Sequence, residues 1–275
     1  MDKVALVSPI IGEFGWTVFD IQQKVRAFFE ENCDHHKIVL ANKTLAPFFE
    51  LADEVIEFEM PVGFLPCGRG ADNGRYDHSS FYEKIHTDTL EKFNPDQYLQ
   101  IPYGNRFGVW EAPSKEKKFY EDRIVDEDKY LTISCRSISR GAMKNWSEEN
   151  YNELVGMIKR EMDLPIYLVG LPKDNYCPNG VLIPETKDVT DHISLLSNSM
   201  MHFGSNTGTS HLALLCGCPM FSWGYGNGLK KRMTEDTNPF DTECVFVDGS
   251  WNPSVEDIYK EVSDFMKSLN ILEIA

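Results

Sequence analysis

The richest chemistry in this 275-residue chain lies between Met201 and Gly224. An apolar run, Met201–Ser205, meets a cluster of small polar residues: Ser205, Asn206, Thr207, Gly208, Thr209 and Ser210. A helical pattern follows from about His211 to Cys216, stops at Gly217, and gives way through Pro219 to another apolar run. A polar turn between a strand and a helix exposes N–H groups that have no helical acceptor. Together with the helix dipole they form a site for an anion. Gly208 allows an oxyanion to approach the backbone, and the hydroxyls of Thr207 and Thr209 add donors. The same residues also suit a tight, well-capped strand-to-helix connection with no ligand at all.

Two further groups carry chemistry. Arg136, Arg140 and Lys144 fall in one loop between a strand and a helix. Arg offers a planar fork to phosphate oxygens and Lys a point charge. In a chain of formal net charge −16, three cations in one loop suggest a phosphate contact, set against a merely solvated loop. Trp146 nearby reads as packing between helix and sheet. Near the start, Ser8–Trp16 places Gly12, Glu13 and Gly15 just after the first strand. Its glycines suit a turn, and Glu13 suits either a catalytic base or a carboxylate favoured by a helix N-terminus.

The elements that must position these groups alternate. Val4–Pro9, Lys37–Ala41, Val55–Glu59 and Tyr98–Pro102 read as strands in the first half. Tyr130–Arg136, Ile166–Gly170, Val181–Pro184, Met201–Ser205, Met220–Trp223 and Cys244–Val247 do so in the second. Helical spacing marks Thr17–Asn32, Ser147–Glu161 with Ser147 as N-cap, and Ile193–Ser199 behind the polar Glu185, Asp188 and Asp191. Phe265–Ala275 reads as an amphipathic helix that packs back across the first lobe. Alternating strands and helices predict mostly parallel sheets in an α/β fold. The charged, aliphatic-poor stretch Ala112–Asp128 predicts a boundary, giving lobes 1–122 and 123–275. The glycine-rich Phe64–Arg75 reads as a loop.

The segment Asn206–Ala213, with the Gly-x-Pro and Trp-Gly that follow, resembles the C-terminal motif of heptosyltransferase-like glycosyltransferases, family 9-like enzymes of the GT-B class. Ile133–Leu154 resembles the strand, basic loop and Lys-x-Trp of the same family. The likeness spans Tyr130–Gly224 well and Val4–Asp20 weakly, while Phe48–Arg123 matches nothing. It implies two Rossmann-like lobes with a cleft between them. It implies a hexosyl- or heptosyl-type transferase moving a sugar from a nucleoside-diphosphate sugar to an acceptor hydroxyl. Arg136, Arg140, Lys144, Asn206, Thr207, Gly208, Thr209, Ser210 and His211 would bind the donor. Glu13, where the family carries Asp, would be the catalytic base. Gly12, Gly15, Tyr103, Asn105 and Arg106 would face an unknown acceptor, a glycan or a lipid-linked sugar among the options. Asn206 also replaces the Asp of many members, and either side chain can cap the turn.

Composition narrows the alternatives. Hydrophobic residues make up 42% and charged residues 25%, ordinary for a globular enzyme. The net charge of −16 opposes nucleic acid, and so a phage-type DNA-base glycosyltransferase. Seven cysteines, an odd number without a CxxC pair, read as reduced thiols in a cytoplasmic protein. No apolar run reaches the roughly 18 residues of a membrane span. No GxxxxGK[ST], no GxGxxG after the first strand and no acidic metal-binding pair occurs, so no metal and no cofactor beyond the nucleotide-sugar is expected. His78 and His86 are possible second bases. An epimerase or pyruvyl transferase on the same scaffold, and a non-catalytic nucleotide-binding protein, remain as alternatives.

Overall fold

The computed structural model describes residues 3–10, 14–41, 43–57, 79–101, 129–138 and 142–272. The chain divides into two units, Met1–Glu116 and Lys117–Ala275.

In the first unit, β1 (Val4–Val7) is followed by a helical segment in three parts. These are α1 (Phe14–Trp16), a wider π-helical turn at Thr17–Ile21, and α2 (Gln22–Glu31). Then come β2 (His36–Leu40), β3 (Glu54–Ile56), α3 (Ser79–Phe93) and β4 (Gln97–Leu99). The sheet is parallel with order β3-β2-β1-β4. The central strand is apolar throughout because neighbours flank it and both of its faces are covered. Leu6 aligns with Ile38 on one side and Tyr98 on the other, and Leu6, Ile38 and Leu40 form a small buried cluster. Carboxylates pin the strand starts: Asp96 accepts from Val4 N–H at 2.9 Å and Asp53 from Lys37 N–H at 2.8 Å.

The second unit runs β5 (Leu131–Ser134), α4 (Glu148–Glu161), β6 (Ile166–Leu168), α5 (Val189–Ser197), β7 (His202–Ser205), α6 (Gly208–Leu215), β8 (Met220–Gly224), α7 (Leu229–Lys231), β9 (Cys244–Asp248) and α8 (Val255–Ser268). Its sheet is also parallel, in the order β6-β5-β7-β8-β9. Alternation along the strands gives the sheet two unlike faces. Ile133, Phe203, Phe221 and Trp223 share a core with Tyr151, Leu154 and Ile158 of α4 and Ile258, Val262 and Met266 of α8. The other face carries Thr132, Ser134, His202, Gly204 and Ser222. Its four side-chain-bearing members are buried.

Several expectations change in detail. Val181–Pro184 is no strand; Leu182 makes a single bridge to Tyr167 at the sheet edge, and Ile183 is left exposed. The last helix begins at Val255 and is capped by Ser254, not at Phe265. Phe265, Met266 and Ile271 are buried in the second unit's own core. Helix α5 begins four residues before the expected Ile193, because Asp188 caps it by accepting from Thr190 N–H at 2.7 Å. Asp191 accepts from Lys187 N–H at 2.6 Å. Gly15 lies within α1 and not in a turn.

Candidate functional site

In the second sheet β5 is followed by β6 on one side, while β7 pairs with its other side. That reversal opens a crevice at the carboxyl ends of β5 and β7, where ligands of open α/β sheets bind. Both loops singled out in the sequence leave from those two strand ends. Arg136 and Lys144 lie in the loop after β5, and Asn206–Ser210 follows β7. Arg140, Gly12, Glu13, Tyr103, Asn105 and Arg106 lie outside the described residues.

The β7 loop is shorter than its sequence suggests. Thr207 is the extended N-cap of α6, and Gly208, Thr209 and Ser210 form the first helical turn. The Ser210 hydroxyl accepts from Thr207 N–H at 3.4 Å, and Ser210 N–H donates to Thr207 C=O at 3.2 Å. Among the described residues the N–H groups of Gly208 and Thr209 have no protein acceptor. The Thr207 and Thr209 hydroxyls bond each other at 2.6 Å. One proton of the pair is used there and the other remains to be donated. Asn206 N–H is held by Trp223 C=O at 3.0 Å, and its amide lies 3.0 Å from the Met233 sulfur. The turn is thus rigid on its own account and offers donors at its tip.

Close packing underlies this turn. Gly204 has φ +150°, and a Cβ there would sit 2.3 Å from Ser134 C=O and 2.7 Å from the Ser134 hydroxyl. Beneath it, His202 lies between two hydroxyls, with Nδ1 at 3.2 Å from Thr132 and Nε2 at 3.3 Å from Ser134. Burial pushes the His202 imidazole down to about 3, so it is neutral at ordinary pH. His211 is buried one turn into α6. The Thr237 hydroxyl donates to Arg232 C=O at 2.8 Å, so it accepts from His211 Nδ1, 3.1 Å away. Burial, and then the Arg232 charge, drives His211 well below its ordinary value. This histidine braces the helix as a neutral ring.

The β5 loop is organised by a residue the sequence reading passed over. The Asn145 carbonyl oxygen accepts from the Arg136 guanidinium and from Ile138 N–H at 3.3 Å. Its amide donates to Ile138 C=O at 2.9 Å. Asn145 is therefore one of the groups that aim Arg136. Lys144 is exposed, with its ammonium 4.9 Å from the centre of the Trp251 ring. Trp251 in turn fills the space over Gly224, where a Cβ would come within 2.9 Å of the indole. The loops after β5, β8 and β9 are thereby joined. Trp146 behaves as expected, with its ring buried against Tyr151 and Trp223 and its N–H donating to Pro253 C=O at 3.0 Å.

Sequence reasoning missed Asn145, Trp251 and the run Lys230, Lys231 and Arg232, of which the Arg232 charge reaches His211. That basic run in an acidic chain was a legible signal; the other two depend on contacts between distant segments. In the first unit His86 bonds the Tyr98 hydroxyl at 2.5 Å. His78 lies outside the described residues. Among the described residues no group of three His, Cys, Asp or Glu side chains could hold a metal ion. No described helix is long and apolar enough to cross a membrane.

No family model and no curated protein sequence matches this chain. Solved structures do match it across both units. E. coli ADP-heptose LPS heptosyltransferase II aligns with a TM-score of 0.59 at 12% identity, over 99% of this chain and 100% of its own. A glycosyl transferase family 9 protein of Veillonella parvula aligns at 0.53 and 10% identity, over 98% and 89%. A candidate UDP-N-acetylglucosamine 2-epimerase of Listeria monocytogenes aligns at 0.56 and 14% identity, over 96% and 88%. The chain has the α/β fold of GT-B type, with two Rossmann-like units. At these identities the likeness is one of fold, and it is shared by transferases and an epimerase alike.

Proposed function

We propose that this chain is a glycosyltransferase that moves a sugar from a nucleoside-diphosphate sugar to an acceptor hydroxyl without a metal ion. The observation that carries this reading is the pairing of two loops at one switch point. One loop offers the Gly208 and Thr209 N–H groups and a hydroxyl pair. The other carries Arg136, aimed by Asn145, and Lys144. A diphosphate needs this mixture of helix-end amides, a guanidinium fork and a point charge. In the proposed reaction the acceptor oxygen attacks the anomeric carbon as Glu13 takes its proton. The bond from that carbon to the diphosphate breaks, and the departing nucleoside diphosphate keeps the electron pair. The amides and cations stabilise the charge that builds on it. Arg140 joins the donor side, and Gly12, Tyr103, Asn105 and Arg106 the acceptor side. The enzyme needs no cofactor beyond its co-substrate and works in the cytoplasm.

Thermal shift against ADP, UDP, GDP, CDP and their sugar conjugates tests the reading. Ligand at about 100 times Kd adds ~2.7 kcal/mol of stability. One nucleotide should stabilise the wild type, and Lys144→Ala should lose most of that shift. No response from any of them would sink the proposal. The fold shared with a candidate epimerase supports a second reading on the same donor site. Product analysis separates the two, because an epimerase changes the sugar of the donor in the absence of any acceptor.

A further inference from the structure

The segment after β9 reaches across the carboxyl edge of the second sheet. Gly249, at φ +139°, turns the chain there, and its N–H donates to Gly224 C=O at 3.1 Å. Ser250 stiffens the turn by accepting from Asn252 N–H at 2.9 Å. The missing side chain at Gly224 lets the Trp251 indole lie over the end of β8, for a Cβ there would meet two of its ring carbons at 2.9 and 3.0 Å.

From this seat the segment makes three separate contacts with Met143–Trp146, in the loop after β5. The Lys144 ammonium stands 4.9 Å from the centre of the Trp251 ring. The Asn252 amide donates to Met143 C=O at 3.4 Å, and the Trp146 indole N–H donates to Pro253 C=O at 3.0 Å. The two hydrogen bonds anchor the chain on either side of Lys144, and the Trp251 indole receives its head. In the sheet β7 lies between β5 and β8. A contact from the β5 loop to a ring over β8 therefore spans the strand end from which the Asn206–Ser210 turn leaves. Lysine is long and freely rotating, and freezing such a side chain on a ligand costs affinity. An aromatic face holds an ammonium through its quadrupole, whereas a carboxylate would cancel its charge.

We propose that Trp251 is a positioning residue for the donor site. Its indole face holds the Lys144 ammonium beside the diphosphate, and the segment Ser250–Pro253 holds the turn that carries this lysine. This rests on the donor-site reading above. The ammonium stays on the ring when the diphosphate binds, so the site meets its ligand with the cation already placed.

The test is calorimetric titration of the full chain with inorganic pyrophosphate, a probe that carries the diphosphate alone. It is run well below the melting temperature and at low ionic strength, where weak binding remains measurable. Trp251→Leu should weaken binding about threefold, the scale of one exposed cation–π contact, and Trp251→Phe should restore part of the loss. In the Lys144→Ala background Trp251→Leu should have no further effect, because the ring acts through that lysine. A purely structural ring would lower the melting temperature and leave the dissociation constant of the folded protein unchanged. Equal or tighter binding by Trp251→Leu, beside a wild type that binds, overturns this proposal and leaves the donor site standing. So does a loss that is as large in the Lys144→Ala background. A wild type that ignores pyrophosphate overturns both readings. If Trp251→Leu does not fold, Asn252→Ala carries the decision. Weaker binding that disappears in the Lys144→Ala background supports the seat, and unaltered binding refutes it.

Discussion

At the residue scale, the most constrained position beside the site is Gly204, and its constraint is doubly physical. Its φ of +150° is one that side chains rarely adopt, and the space for a Cβ is taken by Ser134. Gly204→Ala must strain the backbone and push apart β5 and β7 at their last paired residues. We expect a loss of roughly 3 kcal/mol or more in urea unfolding. A loss under about 1 kcal/mol would mean that β5 moves away at little cost. Gly204 could be quoted from the sequence but not understood there, because the clash comes from a residue 70 positions away. Asn145 and Trp251 were silent for the same reason. Asn206–Ser210 and Arg136 spoke from the sequence because a small polar turn after an apolar run, and cations in an acidic chain, are local signals. What they touch was not local.

At the scale of elements, legibility followed the source of each element's stability. Buried parallel strands are short apolar runs, and nine of the ten expected were found. The tenth, Val181–Pro184, has the composition of a strand but lies outside the edge strand β6 with one bridge to it, where little is buried. The start of α4 was readable because Ser147 makes its own local bond, accepting from Asn150 N–H at 3.1 Å. The start of α6 was misplaced by three residues because Thr207 and Ser210 bond each other across what looked like a loop. The π-helical turn at Thr17–Ile21 has no counterpart in the spacing of apolar residues. Helix capping also yields a clean prediction. Ser147→Ala removes an exposed cap with no core contact to confuse the result. Stability should fall by about 1 kcal/mol, while pyrophosphate affinity stays within twofold of the wild type. A larger binding defect would show that the cap also holds the Lys144 loop.

At the scale of the whole molecule, acid stability follows from the polar face of the second sheet. His202 and His211 are both held as neutral rings by burial, the first down to about 3 and the second well below its ordinary value. In the unfolded chain both take up protons near pH 6.5. The unfolded state thus binds more protons than the native state below that pH, and stability rises with pH through the window from about 3 to 6.5. The contribution of these rings is fully present above pH 6.5. It drains away as pH falls, by at most about 1.4 kcal/mol per pH unit for each histidine. Asp34 and Asp191 act in the same direction, since both have depressed values and also lose stability in acid. Urea unfolding at pH 7.5, 6.0 and 5.0 should therefore show a falling midpoint, with the steeper drop below pH 6. Carboxylates with lowered values titrate too low to explain a drop that begins at pH 6, so the onset identifies histidine. A midpoint that is flat from 7.5 to 5.0 would mean that His202 and His211 can be protonated in place. The neutral packing beneath Gly204 and behind α6 would then be wrong.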